Sequence, residues 1–177
     1  AKKVGQAGTV APLAIGFLIV CTGKFTKQRN EYMAEEKEYI GTFTLGAVTP
    51  TFDLESEPEN FRSFSGITSE AIFEATKQFK GEIMQLPPIH SAIKQKGKPV
   101  SLLARQGEDV TMEPRKLVIL DFETTGINLP VISFITFCTS YTYIRCLANT
   151  FDPALVIGRS FTLLFLTPHA LFYVFIT

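Results

Sequence analysis

The side chains best suited to chemistry in this sequence are tyrosines and cations, which occur together at two places. Lys37 and Tyr39 alternate in a segment with the pattern of a β-strand, and Tyr143 is followed two residues later by Arg145. An aromatic ring can stack on a base that has left its helix, and a cation can bind phosphate. A strand tyrosine is more often a packing residue, so residue types alone leave both roles open.

A third group of cations lies between residues 94 and 105. Lys94 and Lys98 flank Gly97 in a basic turn, and Arg105 follows in a short predicted helix. These side chains suit phosphate contacts, which set affinity and position rather than sequence choice. A solvated basic turn would have the same composition, so this alternative stays open.

Nucleophiles and metal ligands are scarce. Thr9 has no visible base, and Cys21 lies in an apolar run that is expected to be core. The three cysteines form no C-x-x-C pair, and the two histidines are far apart in sequence. The sequence therefore predicts no zinc site, no disulfide framework and a reducing environment.

Net charge is zero, but charge is distributed unevenly. Residues 1–30 carry five bases and no acid, and residues 83–116 carry six bases and three acids. Between them, residues 31–82 carry eleven acids and four bases. Two basic blocks could form one positive face that binds nucleic acid, or they could be a solvated surface with random clustering.

The secondary-structure pattern predicts an α+β domain with a mixed, mainly antiparallel sheet. Hydrophobic alternation and β-branched residues favour strands, and Thr68 is a plausible helix N-cap. The predicted strands are 37–46, 116–124 and 131–138, the last of them central, and the predicted helices are 26–33, 68–86, 101–106 and 142–151.

The ends of the chain are less regular. Residues 5–12 are predicted to be a loop, and residues 13–21 an apolar segment packed on both sides. Residues 161–177 are almost uncharged but contain Pro168, so buried strands are favoured over a membrane span.

The N-terminal segment resembles the bacterial tRNA pseudouridine-55 synthases of the TruB family. Their motif G-H-x-G-T-L-D-P-x-A-x-G-x-L, followed by x-x-G-x-A-T-K, aligns without a gap with residues 5–27. The family's catalytic aspartate falls on Ala11 and its histidine on Gln6. The resemblance implies that Gln6, Lys24 and Lys27 lie at the RNA-binding surface.

Three further blocks carry the same resemblance: residues 37–53, 85–107 with Q-x-P-P-x-x-S-A-x-K, and 138–145 with C-S-K-G-T-Y-I-R. It implies that Tyr39 stacks on a flipped uracil beside the reacting sugar and that Tyr143 lines the pocket. Arg145 pairs with the catalytic aspartate in the family, so here it needs another counter-ion. Lys37, Lys94, Lys98 and Arg105 are implied to bind RNA.

A fifth block departs from the family. The L-R-R-T-R-x-G-x-F run of the family falls on Leu164–Phe172, where no arginine remains. Ser101 stands at a family tyrosine, and Ser140-Tyr141 at a Lys-Gly pair.

The resemblance implies one pseudouridine synthase domain over residues 1–177, without the family's N-terminal strand or PUA domain. It implies the T-stem-loop of tRNA as partner, no cofactor, no metal, no membrane, a monomer and a cytoplasmic location. The expected function is isomerisation of a T-loop uridine, abolished in this chain by Ala11. A non-catalytic tRNA-binding module or a decayed copy are the alternatives.

Overall fold

The structure is a computed structural model. It describes residues 3–10, 14, 16–47, 49–52, 55–59, 61, 63–89, 91, 93–95, 97–107, 110–147 and 164–167, without the side chains of 104, 105 and 164–167.

A five-stranded antiparallel sheet is the main feature of the described chain, and it confirms the predicted α+β class. Its strand order is β4-β7-β8-β3-β9. The strands are β3 (Lys37–Thr44), β4 (Gly81–Gln85), β7 (Arg115–Asn128), β8 (Val131–Cys138) and β9 (Leu164–Thr167). The central position of β8 was predicted from its continuous apolar sequence.

Two small ribbons, three α-helices, a 3-10 helix and a short helical segment at residues 144–147 also occur in the described chain. The ribbons are β1 (Val4–Ala7) with β2 (Ile19–Thr22), and β5 (Lys94–Gln95) with β6 (Lys98–Pro99). The helices are α1 (Arg29–Ala34), α2 (Ser69–Lys77) and α3 (Val100–Arg105), and a 3-10 helix spans Gly23–Lys27.

The core lies on one face of the sheet, because alternate residues of β8 point inward. Ile132, Phe134, Thr136 and Cys138 are all fully buried. The one polar member, Thr136, donates its hydroxyl proton to the carbonyl of Asp121 at 2.9 Å, which satisfies it inside the core.

Phenylalanine rings form the centre of this core. Phe134 stacks on Phe43 with ring centroids 4.3 Å apart and on Phe122 at 5.1 Å. Phe79 adds a tilted contact to Phe122 at 4.9 Å. Stacked rings in this range contribute beyond the area they bury, so the packing of the sheet depends on these side chains.

Helix α2 begins where the sequence predicts and ends earlier. The Thr68 hydroxyl accepts a hydrogen bond from the amide of Ala71 at 3.2 Å, which confirms it as the N-cap. The helix ends at Lys77, so the predicted helical stripe is wrong at Ile83, which lies in β4. Pairing of β4 with β7 outweighs helical periodicity there, and Gly81 adopts a φ of +113° at the start of the strand.

The N-terminal prediction is partly wrong. Residues 5–7, predicted to begin a loop, belong to β1 and pair with β2 in register, with Gly5 opposite Cys21. The apolar segment that follows is not packed on both sides, since Phe17 and Val20 are 62% and 53% exposed. Only one face of the two-stranded ribbon is covered, and Gly5 weakens the strand pattern in the sequence.

The nearly uncharged C-terminal segment contributes a strand, as predicted. Leu164–Thr167 pairs with β3, with Gly41 opposite Leu166. Residues 161–163 and 168–177 lie outside the described residues. Within the described ranges, the chain has no helix long and apolar enough to cross a membrane.

Phe134→Ala is expected to lower the free energy of unfolding by about 3–5 kcal/mol, because it leaves a cavity between two stacked rings. The matched control is Phe61→Ala, since Phe61 is 76% exposed and should cost little. Urea denaturation of both variants measures the difference. Equal losses at the two positions would contradict the core assignment.

Candidate functional site

Tyr39 lies on the inward face of β3, opposite Thr136 of β8. It is partly buried and packs against the hydrophobic core. Burial raises the pKa of its phenol well above the ordinary value, and the nearby Cys138 raises it further. At neutral pH this side chain is therefore a neutral aromatic ring whose orientation is restricted by its packing.

The segment that carries Tyr143 and Arg145 lies over the same face of the sheet. Ile144 and Leu147 are buried in the core cluster against which Tyr39 packs, and residues 144–147 are helical. Tyr143 and Arg145 are partly buried on either side of Ile144. Ile144, which lies between Tyr143 and Arg145, therefore belongs to the same core cluster against which Tyr39 packs. The convergence of Tyr39, Tyr143 and Arg145 on one cleft stays a prediction.

Gln85 attaches this segment to the end of β4. Its side-chain nitrogen donates to the carbonyl of Tyr143 at 3.0 Å, and its side-chain oxygen accepts from the Tyr143 amide at 2.9 Å. Sequence reasoning missed this role. The available signal was a glutamine at an inward strand position, one residue before two prolines.

The turn between β8 and Tyr143 has the geometry of a glycine turn. Tyr141 adopts a φ of +65°, in the left-handed region that L-residues rarely occupy. The family has glycine at this position, and the structure keeps the turn despite the tyrosine. Thr142 stabilises it by donating its hydroxyl proton to the carbonyl of Thr139 at 2.7 Å.

Arg145 is accommodated without the family's aspartate at position 11. It is partly buried and has an interaction partner within the fold. Ala11 itself lies outside the described residues, so the convergence predicted for position 11 stays a prediction.

Lys37 is committed to the backbone of α1. Its ammonium group donates to the carbonyls of Met33 at 3.2 Å and Glu35 at 2.8 Å. A lysine that binds the last carbonyls of a helix stabilises that end. Burial lowers its pKa, with Cys138 and Glu35 acting in the opposite direction. Lys37 therefore fixes α1 against β3, which limits its freedom to reach a ligand.

Cys138 lies beside Tyr39 and opposite Lys37, and is fully buried. Burial raises the pKa of its thiol to about 11, against smaller opposite effects of Thr142 and Lys37. The thiol therefore stays protonated at neutral pH, and it contributes to packing rather than to nucleophilic chemistry.

The predicted basic turn is a hairpin. Lys94 and Lys98 are exposed on β5 and β6, and Gly97 between them has a φ of +80°. Gln95 fixes the hairpin to the segment before β7 by donating to the carbonyl of Thr111 at 2.9 Å. The side chain of Arg105 lies outside the described part of the structure.

The N-terminal candidates lie on the small ribbon and the 3-10 helix. Gln6 and Lys27 are exposed, and the ammonium group of Lys24 lies 5.4 Å from the centroid of the Phe25 ring. The RNA-binding role that the resemblance implies for these three residues stays a prediction. No group of three or more potential metal-ligating side chains occurs among the described residues.

A protein-family model described as "TruB family pseudouridylate synthase (N terminal domain)" matches residues 1–144. The chain belongs to this family. It is 48% identical to tRNA pseudouridine synthase B of Flavobacterium johnsoniae over 162 residues, which are 92% of this chain and 71% of that protein. It is 46% identical to the Phocaeicola vulgatus protein of the same name, over 90% of this chain and 68% of that one.

Two solved structures share the fold. A crystal structure of a Cbf5-Nop10-Gar1 complex matches with a TM-score of 0.64 and 24% identity, over 93% of this chain and 40% of that one. An H/ACA RNP bound to a substrate RNA containing 2'-deoxyuridine matches with a TM-score of 0.61 and 21% identity, over 93% and 38%. With the family match, they confirm the predicted pseudouridine synthase fold.

Tyr141→Gly is expected to raise the free energy of unfolding by up to about 1 kcal/mol. Glycine removes a left-handed penalty of about 1–2 kcal/mol, and its greater freedom in the unfolded chain offsets part of that gain. Tyr141 is 62% exposed, so little packing is removed. Tyr141→Ala is the control, because it removes the ring and keeps the Cβ. Urea denaturation in which alanine stabilises as much as glycine would contradict the backbone explanation.

Proposed function

We propose that this chain is the uridine-binding domain of a tRNA pseudouridine synthase, and that it binds the T-stem-loop of tRNA without isomerising the uridine. The observation that carries this proposal is the 48% identity to a protein named tRNA pseudouridine synthase B, over 92% of the chain. The packing of Tyr39 and of Ile144, which lies between Tyr143 and Arg145, against one hydrophobic core supports it.

The reaction of the family explains why position 11 decides between binding and turnover. The bond between uracil N1 and ribose C1′ breaks, the uracil rotates, and a bond forms between C5 and C1′. The hydrogen on C5 leaves as a proton, and N1 gains one. The family's aspartate acts at C1′ as a nucleophile or as a negative charge beside a cationic sugar. A methyl group can do neither, so Ala11 should remove most of the lowering of the barrier.

The site suits an extruded uridine. A base that leaves its stack loses stacking energy, which an aromatic platform such as Tyr39 offsets in part. The raised phenol pKa keeps this ring neutral at physiological pH. The resemblance implies that Tyr143 forms part of the pocket wall and that Arg145 is a cation near the sugar.

The phosphates would be bound by local groups rather than by a global field, since net charge is zero. Lys94 and Lys98 on the basic hairpin, with Lys24 and Lys27 near the N-terminus, carry this proposed role. RNA-phosphate contacts of this kind weaken steeply with added salt.

The non-catalytic binding module has one specific observation in its favour. The family's aspartate, histidine and C-terminal arginines are replaced by other residues, whereas Phe43 of β3 and Ile132 and Phe134 of β8 are apolar and fully buried. We also propose that the protein is a monomer located in the cytoplasm. The free, buried cysteines at positions 21, 138 and 146 suit a reducing compartment.

Ala11→Asp is expected to raise the turnover rate above that of the original chain by a factor of about 10³ or more. The carboxylate would restore charge stabilisation at C1′. Release of tritium from 5-³H-uridine in an unmodified tRNA transcript measures the rate. Ala34→Asp, on the exposed end of α1, adds the same charge elsewhere and should have no effect. Equal turnover by the original chain and by Ala11→Asp would contradict inactivation by Ala11.

Replacing both Lys94 and Lys98 with alanine is expected to weaken binding of a T-stem-loop RNA and to flatten its salt dependence. The slope of log affinity against log salt should fall by about 0.7–0.9 for each phosphate that the variant no longer neutralises. Fluorescence anisotropy over a salt series measures both effects. The control replaces Lys77 and Lys80, which pair with Glu74 and Asp121 on another part of the surface.

Tyr39→Ala provides the comparison for that experiment. It should weaken binding by about 1–3 kcal/mol, because the base can no longer stack on the ring, and leave the salt slope unchanged. If neither the lysine pair nor Tyr39 affects affinity, the binding proposal fails and a decayed copy is the remaining interpretation.

A further inference from the structure

Gln85 has a polar side chain that is almost completely buried. Its amide nitrogen and its amide oxygen both form hydrogen bonds. The residue is 2% exposed, at the last position of β4. Its amide nitrogen donates to the carbonyl of Tyr143, and its amide oxygen accepts from the amide of the same residue, at 3.0 and 2.9 Å. Both backbone groups of Tyr143 are therefore paired with one side chain that is distant in sequence.

This pairing replaces a strand partner. Tyr143 follows the end of β8 and belongs to no strand, so its backbone groups need other partners in the protein interior. A primary amide presents a donor and an acceptor side by side, which matches a peptide unit as another strand would. The Tyr143 carbonyl also accepts from the amide of Cys146, so loss of Gln85 would remove the partner of the Tyr143 amide above all. An unpaired buried amide costs far more than an ordinary surface hydrogen bond contributes.

The segment that Gln85 binds is also fixed at its other end. The Thr139 hydroxyl accepts from the amide of Val118 at 3.1 Å, and the Thr139 amide donates to the Val118 carbonyl at 3.0 Å. Residues 139–143 thus form a bridge from β7 to the end of β4. The Thr139 end is anchored to the sheet by its own amide and hydroxyl. At the other end, Gln85 binds both backbone groups of Tyr143, and the Tyr143 carbonyl also accepts from the amide of Cys146 at 3.0 Å.

Gln85 also joins two parts of the proposed site. The chain leaves it through Pro87 and Pro88, both buried, and continues to the basic hairpin with Lys94 and Lys98. Through its side chain it contacts the residue two positions before Arg145. Gln85 therefore connects the hairpin proposed to bind phosphate with the segment proposed to form the pocket wall.

We propose that Gln85 is a positioning residue, which places Tyr143 and Arg145 over the face of the sheet that carries Tyr39 and so sets the geometry for the bound uridine. This role rests on the proposed function. Gln85 contacts the protein backbone rather than the RNA, so its effect on RNA is transmitted through Tyr143.

Gln85→Glu tests the proposal, because its hydrogen-bonding capacity depends on pH. A protonated glutamic acid offers one donor and one acceptor, as glutamine does, whereas the ionised carboxylate offers acceptors only and repels the Tyr143 carbonyl. At pH 8 the variant should bind T-stem-loop RNA about 10-fold more weakly than the parent chain. At pH 5.5 the difference should shrink to about 2-fold, since burial favours the protonated form.

Two controls separate positioning from charge and folding. Gln78→Glu introduces the same charge at the exposed end of α2 and should follow the parent chain at both pH values. The parent chain at pH 5.5 and 8 supplies the baseline for any effect of pH on RNA binding that does not involve position 85. Hydrogen exchange of the Tyr143 amide should show protection in the parent and reduced protection in Gln85→Glu at pH 8.

Gln85→Met keeps the length of the side chain and removes both hydrogen bonds at every pH. It should bind RNA as weakly at pH 5.5 as at pH 8. This variant therefore tests the positioning role if Gln85→Glu fails to fold at the higher pH. Parent-like affinity of a folded Gln85→Met or Gln85→Glu variant, with Tyr143 protection abolished, would overturn the positioning role and leave the proposed function intact. Absence of RNA binding by the parent chain would overturn both.

Discussion

The antiparallel pairing of β3 with β8 is the constraint on which the rest of the structure depends. The register places Tyr39 opposite Thr136 and Lys37 opposite Cys138, and alternation along both strands turns these side chains to the same face as Phe43 and Phe134. A shift of one residue would move the whole set to the other face. The stacked phenylalanines oppose such a shift, because it would expose them to water.

The segment with Tyr143 and Arg145, part of the proposed site, begins where the chain leaves this register. After Cys138 the chain turns through Tyr141 in a left-handed conformation and returns over the buried face as the helical segment with Ile144 and Leu147. Gln85 supplies the hydrogen bonds that a strand would have supplied. A regular sheet thus provides rigidity, and a short irregular segment provides the residues proposed to contact the uridine.

The sequence predicts the parts of the fold that depend on local pattern. The apolar run of β8, the alternation of β3 and the Thr68 cap were all found where expected, because burial and capping leave direct signals. Ile83 and Gly5 were misassigned because strand pairing with distant segments overrode helical spacing and loop composition. Contacts such as Gln85 with Tyr143 join residues remote in sequence, so no local pattern reveals them. The site residues came from the family resemblance rather than from periodicity.

The central claim is that Tyr39 and the Tyr143–Arg145 segment bind an extruded uridine that this chain leaves unreacted. A crystal structure of the chain with an unmodified T-stem-loop RNA tests it most directly. The account predicts that the target uracil lies against the ring of Tyr39, with its N1–C1′ bond intact. A target uracil still stacked in the loop, or RNA bound on the opposite face of the sheet, would contradict it.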